Sequence, residues 1–261
     1  MYEFHTDKKR YFEMQIENTC NFVIPFIEQY KPIKGGERVL EIGCGEAGVL
    51  KAFVDRGCIG VGVELDERRL VYAREWQAEE IKAGKVSFIS KDIYKVNVQE
   101  EFGGAFDIIV LKDVIEHIHD QKKLIGWMKE FLNPGGVVFF GFPPWQMPFG
   151  GHQQLFTSKW LSKMPYTHLL PTFLYKALMK MNKEDIPAFI EMKDTGISIE
   201  RFERITDETG FKIVNKLHYF INPIYRYKFG WQPKKQNKVI SKIKYVRNYF
   251  TTCVYYLIQQ K

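Results

Sequence analysis

No stretch of this chain approaches the roughly 20 consecutive apolar residues that a membrane-spanning helix needs, so no span is predicted. Cysteine is scarce: Cys20, Cys44, Cys58 and Cys253 are scattered without a CxxC pair, which excludes a disulfide frame or a zinc ribbon and predicts reduced thiols. No His/Cys/Asp cluster has metal-ligand spacing, so no metal is expected. Residues 1–10 are polar and charged, without the apolar core of a signal peptide, and the expected compartment is the cytoplasm. Internal repeats and low-complexity segments are absent. Acidic residues are missing after Glu208, whereas eleven Lys and Arg follow it, so the net charge of +7 is concentrated at one end, which should attract anions.

Against these absences one stretch stands out, residues 38–48. Arg38-Val39-Leu40-Glu41-Ile42 is a short apolar run carrying one acid, and it stops at Gly43-Cys44-Gly45-Glu46-Ala47-Gly48. Such a run meeting closely spaced glycines reads as a buried parallel strand turning sharply into a helix. Glycine supplies the unusual backbone angles and lets a ligand approach the main chain. The next apolar run, residues 58–63, ends in Glu64-Leu65-Asp66. In a βαβ unit that acid, about 20 residues on, lies beside the glycine turn, where it can accept from a ribose diol. A nucleoside cofactor is therefore expected.

The remaining chain continues the alternation. Residues 7–30 have near-helical apolar spacing, with a kink expected at Pro25, and residues 31–37 form a Pro/Gly linker. Helices are predicted over 47–56 and 66–83, the second capped by Asp66 and stopped by Gly84. Strands are predicted over 86–89, 106–111 and 137–142, with a helix over 113–132, kinked at His119-Asp120, and a tight turn at Asn133-Pro134-Gly135-Gly136. Alternating strands and helices predict an open, doubly wound, mostly parallel sheet. Residues 143–198 break the rhythm: rich in Pro, Met and aromatics and without a clear strand, they read as an inserted lid or substrate wall at the carboxyl edge of the sheet. A short helix (199–209) and two closing strands (211–220 and 250–258) follow. The expected organisation is an N-terminal helical segment (1–37), a core domain (38–142 with 199–261) and the lid (143–198).

Gly43, Gly45 and Gly48 with Glu64 fit a dinucleotide fingerprint as well as an S-adenosylmethionine site. The ordered run VLEIGCGEAG, VGVELD, SKDI, FDIIVLKDVIEHIHD and LNPGG resembles the class I S-adenosylmethionine-dependent methyltransferases, in particular the branch containing the ubiquinone-biosynthesis and other small-molecule enzymes. The resemblance covers residues 38–142 and weakens beyond. It implies a Rossmann-like, seven-stranded, mostly parallel sheet with helices on both faces and the last strand antiparallel. It also implies that Glu41, Gly43, Cys44 and Gly45 line the methionine end of S-adenosyl-L-methionine and that Glu64 holds the ribose. Leu65 would lie against the adenine, with Asp92 and the Ile93 N–H on its edge. Lys112 and Asp113 would approach the sulfonium, the Lys112 ammonium pointing away because like charges repel.

The implied reaction is methyl transfer to a small-molecule acceptor, O- or C-directed, lipid-like or anionic, with alignment and water exclusion as the main task. Two histidines are candidate bases: His117, expected one helical turn beyond Asp113 on the same face, and His152 on the glycine-flexed loop Phe149-Gly150-Gly151-His152. Phe142-Pro143-Pro144-Trp145 follows the fifth strand and lacks the Asn or Asp of amino-group methyltransferases, so it reads as a rigid turn. The basic, aromatic residues 225–248 read as a solvated face, an anionic-lipid surface or an RNA contact. An RNA-modifying methyltransferase and an NAD-dependent oxidoreductase are the alternative functions.

Overall fold

The structure is a computed structural model that describes residues 7–261. Residues 1–6, which carry part of the polar N-terminal run and of the N-terminal helical segment, lie outside the described residues. Helix α1 (Lys8–Asn18) starts where the Asp7 side chain accepts the Arg10 N–H. A wide π turn, Thr19–Val23, then leads into α2 (Ile24–Glu28), with the Ile24 N–H donating to the Thr19 carbonyl. The kink expected at Pro25 is thus a π turn just upstream. Proline has no N–H and its ring crowds the preceding turn, and one extra residue per turn relieves both.

Four βα units follow: β1 (Arg38–Ile42) with α3 (Gly48–Asp55), β2 (Ile59–Glu64) with α4 (Glu67–Trp76) and α5 (Ala78–Lys82), β3 (Val86–Ser90) with α6 (Val98–Phe102), and β4 (Phe106–Lys112) with α7 (Gln121–Trp127). The single helix expected over 66–83 is broken at Gln77, a buried residue whose Nε2 donates to the Ala47 carbonyl at 3.2 Å. The helix expected over 113–132 is also divided. Asp113 takes a left-handed conformation (φ 57°), Ile115–His117 form a 3-10 turn, and Asp120 caps α7. The proposed turn at Asn133-Pro134-Gly135-Gly136 lies inside the irregular start of β5 (Leu132–Phe142), where the register with β4 shifts.

After β5 the chain passes through three short 3-10 turns and then forms α8 (Thr172–Met181) and α9 (Ile186–Thr195), with no strand among the described residues. These pack on a small apolar cluster of their own, built from Phe156, Leu161, Tyr175, Met179 and Phe189. The Trp145 N–H to the Ile197 carbonyl (2.8 Å) ties the two ends of the segment together, and Gln121 Nε2 to the Thr195 carbonyl (2.6 Å) ties it to α7. Then come α10 (Ile199–Glu208), β6 (Phe211–Ile221), α11 (Tyr225–Phe229), β7 (Lys234–Lys235), α12 (Val246–Tyr249) and β8 (Cys253–Gln260).

The strands make one sheet in the order β3-β2-β1-β4-β5-β8-β6-β7. Strands β1 to β5 pair in parallel, while β8 runs antiparallel between β5 and β6. The last long strand is therefore antiparallel, as expected, but the sheet has eight strands instead of seven. The additional one, β7, is two lysines paired to the edge of β6 at Tyr219 and Ile221, too short and too polar to show an apolar alternation. Both faces are covered. In β5 and β8, Phe140, Phe142 and Tyr256 point to the side of α7 and α10, whereas Phe139 and Tyr255 point to the side of α2 and α3. That alternation is the period of two of a strand, and burying each such ring contributes about 1.5–3 kcal/mol.

Candidate active site

The parallel strands β1, β2 and β4 end together on one edge, and the glycine turn connects two of them. Gly43 and Cys44 both donate their N–H to the Val63 carbonyl, at 2.8 and 3.1 Å, which bolts the turn to the end of β2. Gly43 (φ +69°) and Gly45 (φ +55°) hold left-handed backbones, and a Cβ on Gly43 would fall 2.6 Å from Val114 Cγ2. At Gly48 the limit comes from α1: a Cβ there would lie 2.6 Å from the Phe12 carbonyl oxygen. The turn is therefore a cradle of bare backbone at the head of α3, a shape suited to a ligand that reads N–H groups.

Two acids flank it. Glu41 Oε2 accepts the Leu50 N–H at 2.9 Å. Burial pushes the Glu41 carboxyl up to about 8, against the lowering effect of that N–H and of Lys112. Glu64 accepts three backbone donors, Gly45 N (2.8 Å), Leu65 N (2.8 Å) and Asp66 N (3.0 Å). A cavity opens above the cradle under α1, which contributes Tyr11, Phe12 and Gln15 to its wall. It brings together Glu41, Gly43, Cys44, Lys112 and Asp113, five of the residues singled out from sequence, with Glu46 and Arg69. Gly45 lies immediately beneath the Arg69 guanidinium, which also comes within 3.7 Å of Glu64.

The remaining expected cofactor residues stand apart from this cavity. Leu65 is 75% exposed beyond Glu64. The Asp92 side chain accepts the Tyr94 N–H at 3.0 Å, and Ile93 is buried in the core. Cys44 holds a buried thiol whose pKa burial pushes well up, so it is neutral.

On the far side, Lys112 Nζ bonds Asp113 Oδ2 at 2.6 Å. The Lys112 ammonium is thus turned onto this carboxylate. Burial opposes the Lys112 ammonium, but the attraction between the two groups outweighs it, holding Asp113 below and Lys112 above their ordinary ranges. Asp113 keeps 41% of its side-chain surface accessible at the cleft. His117 does not share a helix face with Asp113, because the intervening backbone is a left-handed residue and a 3-10 turn. Even so, its ring centroid lies 5.1 Å from that of His152. Burial lowers the pKa of both, that of His152 to about 4, leaving neutral imidazoles at pH 7. Glu116 is buried and raised well above the carboxylate range by burial and then by the Asp113 charge, so it carries its proton.

The His152 loop is fixed by a residue that sequence reasoning missed. His168 Nδ1 accepts from Gln153 Nε2 at 2.7 Å, so its Nε2–H donates to the Trp145 carbonyl at 2.7 Å. Gly150 and Gly151 allow this closure, since a Cβ would fall 2.1 Å from the Trp145 oxygen or 2.3 Å from His168 Cβ. Also missed were Tyr11, Gln15, Arg69, Glu116 and Lys228. Lys228 comes from the basic tail: Asn21 Nδ2 donates to the Tyr227 hydroxyl at 2.9 Å and docks α11 on the N-terminal helices. Lys228 Nζ then lies 5.2 Å from the Tyr11 ring centroid, and burial lowers its pKa to about 8. Helical spacing around Tyr11 was a usable signal for α1, but nothing local to the sequence told which face met the cavity. Among the described residues, no three metal-ligating side chains come together and no helix is long and apolar enough to cross a membrane.

Comparison with known proteins identifies the family and the fold. Residues 15–184 match a family described as a methyltransferase domain. The ubiquinone biosynthesis O-methyltransferase of Pseudomonas aeruginosa is 32% identical over 104 residues, 40% of this chain and 43% of that protein. The chain therefore matches less than half the length of this curated relative. Among solved structures, magnesium protoporphyrin IX methyltransferase from Synechocystis, crystallised with S-adenosylhomocysteine, superposes with a TM-score of 0.55 at 12% identity, covering 95% of this chain and 84% of that one. An S-adenosylmethionine-dependent methyltransferase from Clostridium acetobutylicum gives 0.56 at 14% identity, covering 94% and 91%. With the family match extending over more than half its length, the chain belongs to the methyltransferase-domain family and has the fold of the class I S-adenosylmethionine-dependent enzymes.

Proposed function

We propose that this protein transfers a methyl group from S-adenosyl-L-methionine to a small-molecule acceptor at oxygen or carbon. The observation that carries the reading is the glycine cradle between Glu41 and Glu64, opening directly onto the Lys112–Asp113 pair. Glu41 and the head of α3 fit the methionine end. Glu64 fits the ribose, and Leu65, Asp92 and Ile93 fit the adenine. Bound there, S-adenosylmethionine supplies a methyl group on a sulfonium, an excellent leaving group.

The chain's own task is then alignment and exclusion of water, of which alignment alone can supply roughly 7–11 kcal/mol. Tyr11, Phe12 and Gln15 roof the cavity. Residues 143–198 form the acceptor wall, with His152 presented on its fixed loop. His117, whose protonated form the Asp113 and Glu191 carboxylates favour, takes a proton from a hydroxyl acceptor as the new bond to carbon forms. Lys228, facing Asp113 beside Tyr11, favours an acceptor that carries an anionic group.

A surface observation supports a lipid-like acceptor over RNA. Val239, Ile243, Tyr245 and Val246 are exposed among Lys238, Lys242 and Lys244, the mixture of apolar and cationic side chains that rests on anionic lipid. Vesicle flotation with and without phosphatidylglycerol tests this: co-flotation only with the anionic lipid is expected, and an RNA gel shift without flotation would overturn it. For the reaction itself, methyl-labelled cofactor is incubated with a small-molecule extract or with total RNA. Label in an extractable small product is expected, and label confined to RNA would replace this reading by the RNA-modifying one.

A further inference from the structure

The nucleoside end of the cavity is spanned by a side chain that neither the glycine fingerprint nor the acid after β2 calls for. Arg69, in the first turn of α4, lays its guanidinium directly over Gly45: a Cβ on that glycine would fall 2.2 Å from Nη2. It is held there by Glu46, a buried acid of the turn itself, through Nη2 to Oε2 at 2.7 Å and Nε to Oε1 at 3.3 Å. Nη1 lies 3.7 Å from Glu64 Oε2, and on the opposite side Lys8 Nζ of α1 lies 3.6 Å from Glu46 Oε1. Lys8, Glu46, Arg69 and Glu64 thus form a strap of alternating charge from α1 to the end of β2. In a βαβ nucleoside site the ribose diol belongs at the acid ending the second strand. Both oxygens of Glu64 already accept backbone N–H groups, and Arg69 Nη1 stands beside Oε2, the oxygen that takes the Gly45 N–H. A ribose hydroxyl reaching Oε2 would compete with the guanidinium for that space.

We propose that Arg69 is a cofactor-positioning latch: its guanidinium leaves Glu46 and Glu64 when the nucleoside enters and then lies against the bound nucleoside as a clamp. A planar, weakly hydrated guanidinium suits both states, pairing bidentately with a carboxylate and stacking on a purine face. The side chain retains 40% of its surface accessible, so it has solvent into which to swing. This inference rests on the S-adenosylmethionine reading above, but it assigns a role to a residue that reading does not require.

Stopped-flow fluorescence and calorimetry with S-adenosylhomocysteine separate the two halves of the role. Trp76, whose ring lies 5.0 Å from Phe12 in the cavity roof, is the reporter. Glu46→Gln weakens only the latch and is expected to raise the association rate at least threefold with the dissociation rate unchanged. Arg69→Ala removes latch and clamp, so both rates should rise at least threefold. Arg69→Lys keeps the charge but not the plane, and it should dissociate faster without associating faster. A purely structural arginine would lower the melting temperature of Arg69→Ala and leave the association rate of Glu46→Gln where it was, and that result overturns the proposal. Failure of the wild-type protein to bind S-adenosylhomocysteine would overturn the functional reading and this inference together, whereas binding with unaltered kinetics in all three variants would overturn this inference alone.

Discussion

Burial raises the carboxyl of Glu41 to about 8, far above the ~4.3 of an unfolded chain. A group whose folded value is raised binds its proton more tightly when folded. Its stabilising contribution is therefore present at low pH and is lost as pH rises from about 4.3 towards 8. Glu41→Gln removes that titration while keeping an oxygen for the Leu50 N–H. The ligand-free variant should match the wild type near pH 4 and melt higher than it at pH 8, while binding S-adenosylhomocysteine more weakly. Differential scanning calorimetry across that range checks the first part and titration calorimetry the second; a variant less stable at pH 8 would contradict the burial argument. Glu64 behaves differently because three backbone N–H groups rely on it. Glu64→Gln turns one acceptor oxygen into a donor facing them, at a cost of about 1–3 kcal/mol of folding stability, read as a lower denaturant midpoint, and the variant should also bind S-adenosylhomocysteine more weakly. Glu41, Glu64 and the glycines were legible in the sequence because their task is local, an acid or a bare backbone at a strand end. Arg69, His168 and Lys228 were not. Each acts through a partner brought close only by the tertiary fold, and an isolated Arg, His or Lys on a polar stretch carries no mark of that partner.

Helix α1 is the element on which the cavity depends most, since it roofs the glycine cradle without belonging to any βα unit. Gly48 is where the two touch: a methyl group there would press on the Phe12 carbonyl at 2.6 Å and on Gln15 Cβ at 2.8 Å. Gly48→Ala should lift α1 from α3, cost about 1–3 kcal/mol by overpacking and expose the α2–β1 linker to limited proteolysis. Unchanged denaturant midpoint and digestion pattern would show that α1 is not seated on α3 as described. The position of α1 was predictable from apolar spacing, but its face was not. The same limit explains the region after β4. Val114, Ile115, Ile118, Leu124 and Ile125 keep an apolar rhythm across a segment that contains a left-handed Asp113 and a 3-10 turn, because all of them pack on the sheet whichever way the backbone runs between them. That break brings His117 to 5.1 Å from His152. With burial lowering the pKa of His117, methyl transfer to a hydroxyl acceptor should lose its acid limb only below the ordinary histidine value of about 6.5, and His117→Gln should remove that limb from the pH profile. A limb that persists in the variant would assign the proton to another group.

At the scale of the whole molecule, five parallel strands and a closing antiparallel strand bring the ends of β1, β2 and β4 to one edge, and that edge carries Glu41, Glu64 and Asp113. This architecture was readable because alternating apolar runs and capped helices admit few topologies. The eighth strand was not, since two lysines hydrogen-bonded to a sheet edge leave no pattern. Nor was the inward docking of the tail, where Arg247 is buried against Glu200 and Glu203, at 2.8 and 2.6 Å, while Lys228 lies over the Tyr11 ring. The central claim is that this edge holds S-adenosylmethionine and not a dinucleotide. Thermal shift with each ligand tests it most directly. At about 100 times its dissociation constant a ligand adds about 2.7 kcal/mol, roughly 5–10 °C for a chain of this size. S-adenosylhomocysteine should raise the melting temperature by that amount and NADH should leave it unchanged; stabilisation by NADH with no response to S-adenosylhomocysteine would contradict the account.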